Sequence, residues 1–260
     1  MKKALKLIYI VAVIIFLYLP IIALMVLSFN ESKSMAVFTG FSLKWYEEMF
    51  SNRMIMQAIL NTFTIAITAS ITATIIGTLA AVGLGGMKTK HQNLLLGFNN
   101  IPLLNADIVT GISLLLTFLF FGISLNWGTV YLSHVTFCIP YVILSVRPRI
   151  NKSSTMLYEA ALDLGATKKY AFFKIVLPEL RPGIISGFLL AFTMSVDDFV
   201  ITHFTRGAGI NTISTLIYSQ VKVGIRPSLF ALSTIIFVLV LVVLVVVNVL
   251  ADTKRNKLIY

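Results

Sequence analysis

The chain reads as an all-α, polytopic membrane protein with six transmembrane helices, on three observations. Of its 260 residues, 58% are apolar and only 12% are charged, where roughly a quarter are charged in soluble domains. Its mean hydropathy is +0.93. Its apolar residues gather into six stretches of the length, about 20 residues, that a helix needs to cross a hydrocarbon core. Little chain is left for a separate soluble domain, so residues 1–260 read as a single transmembrane domain.

The approximate bounds of the stretches are 6–28, 57–83, 94–121, 127–146, 177–199 and 229–251. The first follows Met1-Lys2-Lys3-Ala4-Leu5-Lys6, as a secretory leader would. It runs past about 20 residues and no small-x-small cleavage site follows Pro20 and Ile21, so it reads as a retained span. The second carries Thr62, Ala66, Ala69, Ser70, Ala73 and Gly77, small residues that let helices approach closely enough to slide.

The third stretch holds Asp107. An ionised Asp at a helix centre costs about 2.5 to 3.5 kcal/mol on insertion scales. Either this carboxylate meets a solute, or the helix is broken behind Asn99, Asn100, Pro102 and Asn105 and Asp107 caps a restarted turn. Phe118, Phe120, Phe121, Trp127, Tyr131, Phe137 and Tyr141, in or beside the third and fourth stretches, read as packing and interfacial residues. His134 reads as a hydrogen-bonded interior histidine.

Asp197 and Asp198 fall near the outer end of the fifth stretch. A like-charge pair there raises the repulsion unless a cation or water relieves it; simple solvation at the helix exit is the other reading. With no lysine or arginine at any span's centre, Asp107, Asp197 and Asp198 mark a pathway suited to a positive solute.

The net charge of +11 sets orientation rather than nucleic-acid binding. With the N-terminus inside, fifteen of the 21 Lys and Arg fall in the inner pieces 1–6, 84–93, 147–181 and 252–260. Six fall in the outer pieces 29–56, 122–127 and 200–227, which are of nearly equal total length. That is the positive-inside bias, with both termini cytoplasmic. Cys138 is the single cysteine, so no internal disulfide and no thiolate metal cluster forms.

The inner loop over 147–176 reads as two short helices meeting at a glycine. Ser153, Ser154 or Thr155 caps the first, with Glu159 near its start favoured by the helix dipole. Gly165 ends that helix in a left-handed conformation, and Thr167 caps a second helix carrying Tyr170, Phe172, Phe173 and Val176. Pro178 marks entry into the next span. Such a charged, hinged segment has no place in lipid and reads as a surface presented to another protein.

The loop contains Glu159-Ala160-Ala161, three residues, Gly165, nine residues, then Ile175-Val176-Leu177-Pro178. At every fixed position this resembles the EAA loop of ABC importer permeases of the MetI-like type, and it stands before the penultimate span as theirs does. The resemblance implies a type I ABC importer permease fold with a permease core over about 57–251. It implies that residues 153–174 dock into a cytoplasmic ATPase, with Glu159, Ala160, Ala161, Gly165, Ile175, Leu177 and Pro178 as the coupling residues.

Stretches at Gly40-Phe41, Lys44-Trp45-Tyr46, Asp107-Ile108-Val109, Ser133 to Pro140, Ser195 to Asp198 and Val221 to Gly224 are similar to the PotC-type permeases of spermidine/putrescine importers. This implies polyamine translocation with four partners: the lipid bilayer, an ABC ATPase dimer, a second related permease and an extracytoplasmic polyamine-binding protein. One departure is Asn105-Ala106-Asp107, where a proline is expected before the acid.

The chain has no Gly-x-x-x-x-Gly-Lys-Ser/Thr loop, so it binds no cofactor by that route, and ATP and Mg are assigned to the partner ATPase. Two other classes compete. A secondary transporter would work without ATP and usually shows inverted repeats, which are not evident. An intramembrane enzyme would need paired metal ligands or a Gly-x-Ser-x-Gly elbow, and the sequence has neither.

Overall fold

A computed structural model describes residues 2–34, 37–150 and 152–257, with side chains described over 5–34, 37–150 and 156–242. The helices are α1 (Lys2–Ser28), α2 (Lys44–Ser51), α3 (Arg53–Gly85), α4 (Thr89–Leu104), α5 (Asp107–Phe120), α6 (Trp127–Val146), α7 (Lys152–Asp163), α8 (Lys168–Ala171), α9 (Leu177–Asp197), α10 (Val200–Thr205), α11 (Ile213–Val223) and α12 (Pro227–Lys257). Among the described residues, four helical runs are long and apolar enough to cross a membrane: Leu5–Ser28, Arg53–Gly85, Trp127–Arg149 and Lys168–Asp197. They correspond to the first, second, fourth and fifth expected spans.

The third expected span is not one helix. α4 and α5 meet at a bend of 108°, because Asn105 and Ala106 are extended, at ψ 152° and 139°. A broken helix there was the alternative reading, and it is the one found. The sixth expected span falls on α12, which is an apolar helix over Pro227–Val242, where its side chains are described.

Two compact units divide the chain. In the unit formed by residues 1–56 and 217–260, α1 and α2 both pack on α12. The loop before α2 is folded around Asn30, whose carboxamide donates to the Val37 carbonyl at 2.8 Å and accepts from the Thr39 N–H at 3.0 Å. The buried Trp45 indole donates to the Asn30 carbonyl. Backbone groups with no helical partner are thereby satisfied.

In the unit 57–216, α6 is the central helix. It runs antiparallel to α9 in strict four-residue register. Ala191 accepts from Cys138 at 3.4 Å, Ser195 meets His134 at 2.6 Å, and a Cβ on Gly187 would lie 3.3 Å from the Val142 Cα. One turn further along, a Cβ on Gly183 would come within 3.0 Å of the Ser145 carbonyl oxygen. Gly183, Gly187, Ala191 and Ser195 thus form a stripe of small residues on one face of α9, all buried. Val142 also meets α3, where a Cβ on Gly77 would lie 2.8 Å from its side chain. Ala66, Ala69 and Ala73, expected from the sequence to permit close packing, are fully buried.

Four hydroxyls of α3 cost little in an apolar setting because they bond back along their own helix, whereas the buried Thr78 hydroxyl has no partner among the described residues. Thr62, Thr68, Thr72 and Thr74 donate to the carbonyls four residues earlier at 2.6–2.9 Å.

The loop over 147–176 departs from expectation in two ways. Because α7 begins at Lys152, Ser153, Ser154 and Thr155 lie inside the helix rather than before it, and their side chains are outside the described residues. Glu159 is then two turns into α7, beyond the reach of the helix-dipole stabilisation expected for it. Nor does Pro178 separate a short helix from the span: the chain stays helical from Lys168 to Asp197. Pro178 has no N–H for the carbonyl four residues back. The backbone passes that gap through a π turn at Phe172–Val176, with the Leu177 N–H reaching the Phe172 carbonyl.

Replacing Gly187 by Leu is expected to cost about 1–3 kcal/mol through overpacking against α6. The control Leu189→Ala lies on an exposed position of α9 and is expected to stay within about 0.5 kcal/mol. Thermal melting of the two purified variants checks the pair.

Candidate functional site

Two breaks in the helices of the central unit open onto one cavity. The first is the α4–α5 bend, which leaves Asp107 as the first residue of α5, exposed, with its carboxylate on the favourable end of the helix dipole. It does not cap the restarted turn: the Val109 N–H goes to the Ala106 carbonyl at 2.9 Å, and no hydrogen bond to the Asp107 carboxylate is seen among the described residues. The second break ends α9 at Asp197, where Asp198 turns extended at ψ 128°.

The cavity, about 200 Å³, is lined by Asp107 and Thr110 from α5, Phe137 and Tyr141 from α6, Met194, Asp197 and Asp198 at the end of α9, and the first residues of α10. Phe137 and Tyr141 stand one turn apart, so both face the same side. No lysine or arginine lines it. The three acids singled out in the sequence therefore come together although they are distant in the chain. Phe137 and Tyr141, to which the sequence assigned only packing, form the aromatic wall.

Asp197 ends α9, the helix of the fifth expected span, and Asp198 is its C-cap, so the pair stands at the end of that helix as the sequence places it. The cavity lining sets both against Phe137 and Tyr141 of α6, and α10 continues alongside α5 and α6.

The two neighbouring carboxylates have different surroundings. The Asp198 side chain is 7% exposed. It accepts from the Ile201 N–H at 3.2 Å, the Thr202 N–H at 2.8 Å and the Thr202 hydroxyl at 2.7 Å. These three donors offset its repulsion with Asp197. Asp197 is exposed to the cavity. His134, fully buried as an interior histidine was expected to be, meets Ser195 through Nδ1 at 2.6 Å and Thr202 through Nε2 at 2.9 Å. Ser195 and Thr202 were not found from the sequence. The four-residue spacing of Gly183, Gly187, Ala191 and Ser195 was the available signal for the face that meets α6.

A larger cavity of about 330 Å³ lies at the far ends of α3 and α6, beside α4, lined by Gln92, Asn99, Asn100 and Arg147 among others. It contains no carboxylate, so the acidic chemistry belongs to the smaller one.

The residues of the loop motif divide into an outward and an inward set. Glu159, Ala160 and Gly165 are exposed, while Ala161 is buried and Ile175, Leu177 and Pro178 are half-buried at the start of the long helical run. Gly165 has φ +87°. Its N–H bonds the Leu162 carbonyl at 2.9 Å and the Ala166 N–H bonds the Ala161 carbonyl at 3.0 Å, the two bonds of a Schellman cap. Thr167 caps the next helix through the Tyr170 N–H at 3.3 Å. Around this hinge the apolar side chains of Met156, Leu164, Tyr170 and Phe173 are exposed, Leu164 at 89%. The loop set and the acid set do not meet; they lie towards opposite ends of the run from Lys168 to Asp197.

Comparison with known proteins agrees with this architecture. Residues 73–256 match the family described as the binding-protein-dependent transport system inner membrane component. The chain is 40% identical over 241 residues to the spermidine/putrescine transport system permease protein PotC of Haemophilus influenzae, covering 93% of each. It is 37% identical over 248 residues to PotC of Escherichia coli strain K12, covering 95% of this chain and 94% of that protein. It is 41% identical over 228 residues to the putrescine transport system permease protein PotI of the same strain, covering 85% and 81%. A bacterial ABC transporter involved in the import of the acidic polysaccharide alginate shares the fold, with a TM-score of 0.68 at 14% identity over 96% of each chain. The chain belongs to the binding-protein-dependent transport system inner membrane component family, the MetI-like permease subunits of ABC importers.

Proposed function

We propose that this permease subunit translocates polyamines, and that the cavity of Asp107 and Asp197 receives them. One observation carries the reading: two broken helices place two carboxylates, with no hydrogen bond to either seen among the described residues, beside Phe137 and Tyr141 in a lining with no basic residue. A polyamine is a string of ammonium groups on methylene spacers. Carboxylates hold the ammoniums, and aromatic faces accept both the cations and the methylenes. The similarity to spermidine/putrescine and putrescine permeases supports the same solute class.

Energy comes from outside the chain in this reading. The subunit is non-catalytic, and ATP and Mg are held by an ABC ATPase dimer that engages residues 153–174. A second, related permease completes the pathway, and an extracytoplasmic polyamine-binding protein delivers the solute. Both termini face the cytoplasm, which puts the hinged loop on the ATPase side. The exposed apolar residues around Gly165 supply the docking surface. The helical run from Lys168 to Asp197 has 30 residues, about 45 Å at 1.5 Å per residue, so a push on the loop is delivered as a rigid-body movement to the acid end. Closing of the ATPase pair then turns the cavity outward, and opening turns it inward. The cavity beside Arg147 and Asn99 lies on the inward side of this route.

Three outcomes test this reading. Asp107→Asn and Asp197→Asn, each in the assembled transporter, are expected to raise the KM for putrescine and spermidine uptake about tenfold or more, the scale of one charged hydrogen bond; unchanged uptake kinetics would remove the acidic pathway. Gly165→Pro, forced out of φ +87°, is expected to leave ATP hydrolysis running without uptake, while Gly165→Asn retains most coupling. A cysteine placed at Lys33 should react with a membrane-impermeant thiol reagent from outside, and one at Lys168 only after permeabilisation. The native Cys138 is fully buried and does not interfere.

A further inference from the structure

The break that ends α9 is held by one ring from a neighbouring helix. His134 belongs to α6, yet its two nitrogens bond to opposite sides of the break, Nδ1 to Ser195 on α9 and Nε2 to Thr202 on α10. The proton positions follow from what each group is able to do. The Asp198 carboxylate only accepts, so the Thr202 hydroxyl gives it its hydrogen at 2.7 Å. The Thr202 oxygen must then accept from the ring, which places a hydrogen on Nε2. The Ser195 hydroxyl has both a donor and an acceptor to offer Nδ1, so every polar group in the set is satisfied.

This arrangement has a directional effect. Asp198 takes three hydrogen bonds from α10, and its Oδ2 lies 3.5 Å from His134 Nε2. Its oxygens are held inside the protein, while the next-door Asp197 stays exposed to the cavity. The same ring lies 5.1 Å from Phe137, whose side chain lines the cavity. α6 thus supplies both the aromatic wall and the pin that sets where the acid end of α9 lies against it.

We propose that His134 is a positioning residue for solute passage: by bridging Ser195 and Thr202 it ties the end of α9 to α10, with Asp198 held against the first turn of α10, and so sets where the acid end of α9 lies along α6. This rests on the acidic-cavity reading above. The pin acts on the geometry of the moving wall, not on solute contact, so its loss changes turnover and leaves affinity in place.

The test uses the complete transporter in proteoliposomes, with putrescine and spermidine as solutes. His134→Ala is expected to lower kcat about tenfold, as for the loss of bonds within a charged network, with KM within about threefold. Thr202→Val, which keeps the shape and removes the hydroxyl, gives the same split and stands in if the alanine variant fails to assemble. His134→Gln retains a donor for Thr202 and recovers part of the turnover. The double variant His134→Ala with Asp198→Asn should be no slower than His134→Ala alone, because the residues act as a unit. A raised KM with intact kcat in the His134 or Thr202 variants, or losses that multiply in the double variant, would overturn the positioning role while leaving the cavity reading untouched. Normal KM in both Asp107→Asn and Asp197→Asn would overturn both.

Discussion

The close contact between α6 and α9 is the constraint on which the central unit depends. In lipid, helices gain no hydrophobic advantage from burying apolar faces against one another, so association rests on van der Waals packing and on hydrogen bonds between backbones that approach closely. Val142 is met at close range by two glycines, Gly77 of α3 and Gly187 of α9. Small side chains on α9 at Gly183, Gly187, Ala191 and Ser195 keep the register along the contact. A larger residue at any of these steps would push α9 away and move its acid end with it.

That register delivers the break in α9 to His134 of α6. Interrupted helices are tolerated inside a membrane only where the freed backbone groups find partners or line a polar cavity. Both conditions are met here. Asp198 takes the first N–H groups of α10, and Asp107 and Asp197 stand in the cavity opened by the two interruptions. The pair Asp197-Asp198 therefore divides into an anchor held by α10 and a cavity-facing charge, with the chain leaving the helix at Asp198.

The loop and the cavity are joined by one helical run. A Schellman cap fixes the chain at Gly165, the π turn carries it past Pro178, and the helix then continues to Asp197. Exposed apolar side chains stand at one end of this run and an exposed carboxylate at the other.

The sequence by itself determined the features that are local in the chain. Apolar runs of bilayer length gave the helices, Gly165 and Thr167 gave the caps, and Asp107, Asp197 and Asp198 were legible as carboxylates out of place in lipid. Glu159 was misplaced because the start of α7 depends on residues before the motif. Only the tertiary structure decided the rest. The break at Asn105 and Ala106 was open to either reading until their extended backbone was seen. The roles of His134, Ser195 and Thr202, and the separate fates of the two neighbouring acids, depend on hydrogen bonds between residues 61 and 68 positions apart. Such partners leave no periodic trace in a sequence, because a hydroxyl or an imidazole is specified by what lies across the helix interface and not by its neighbours along the chain.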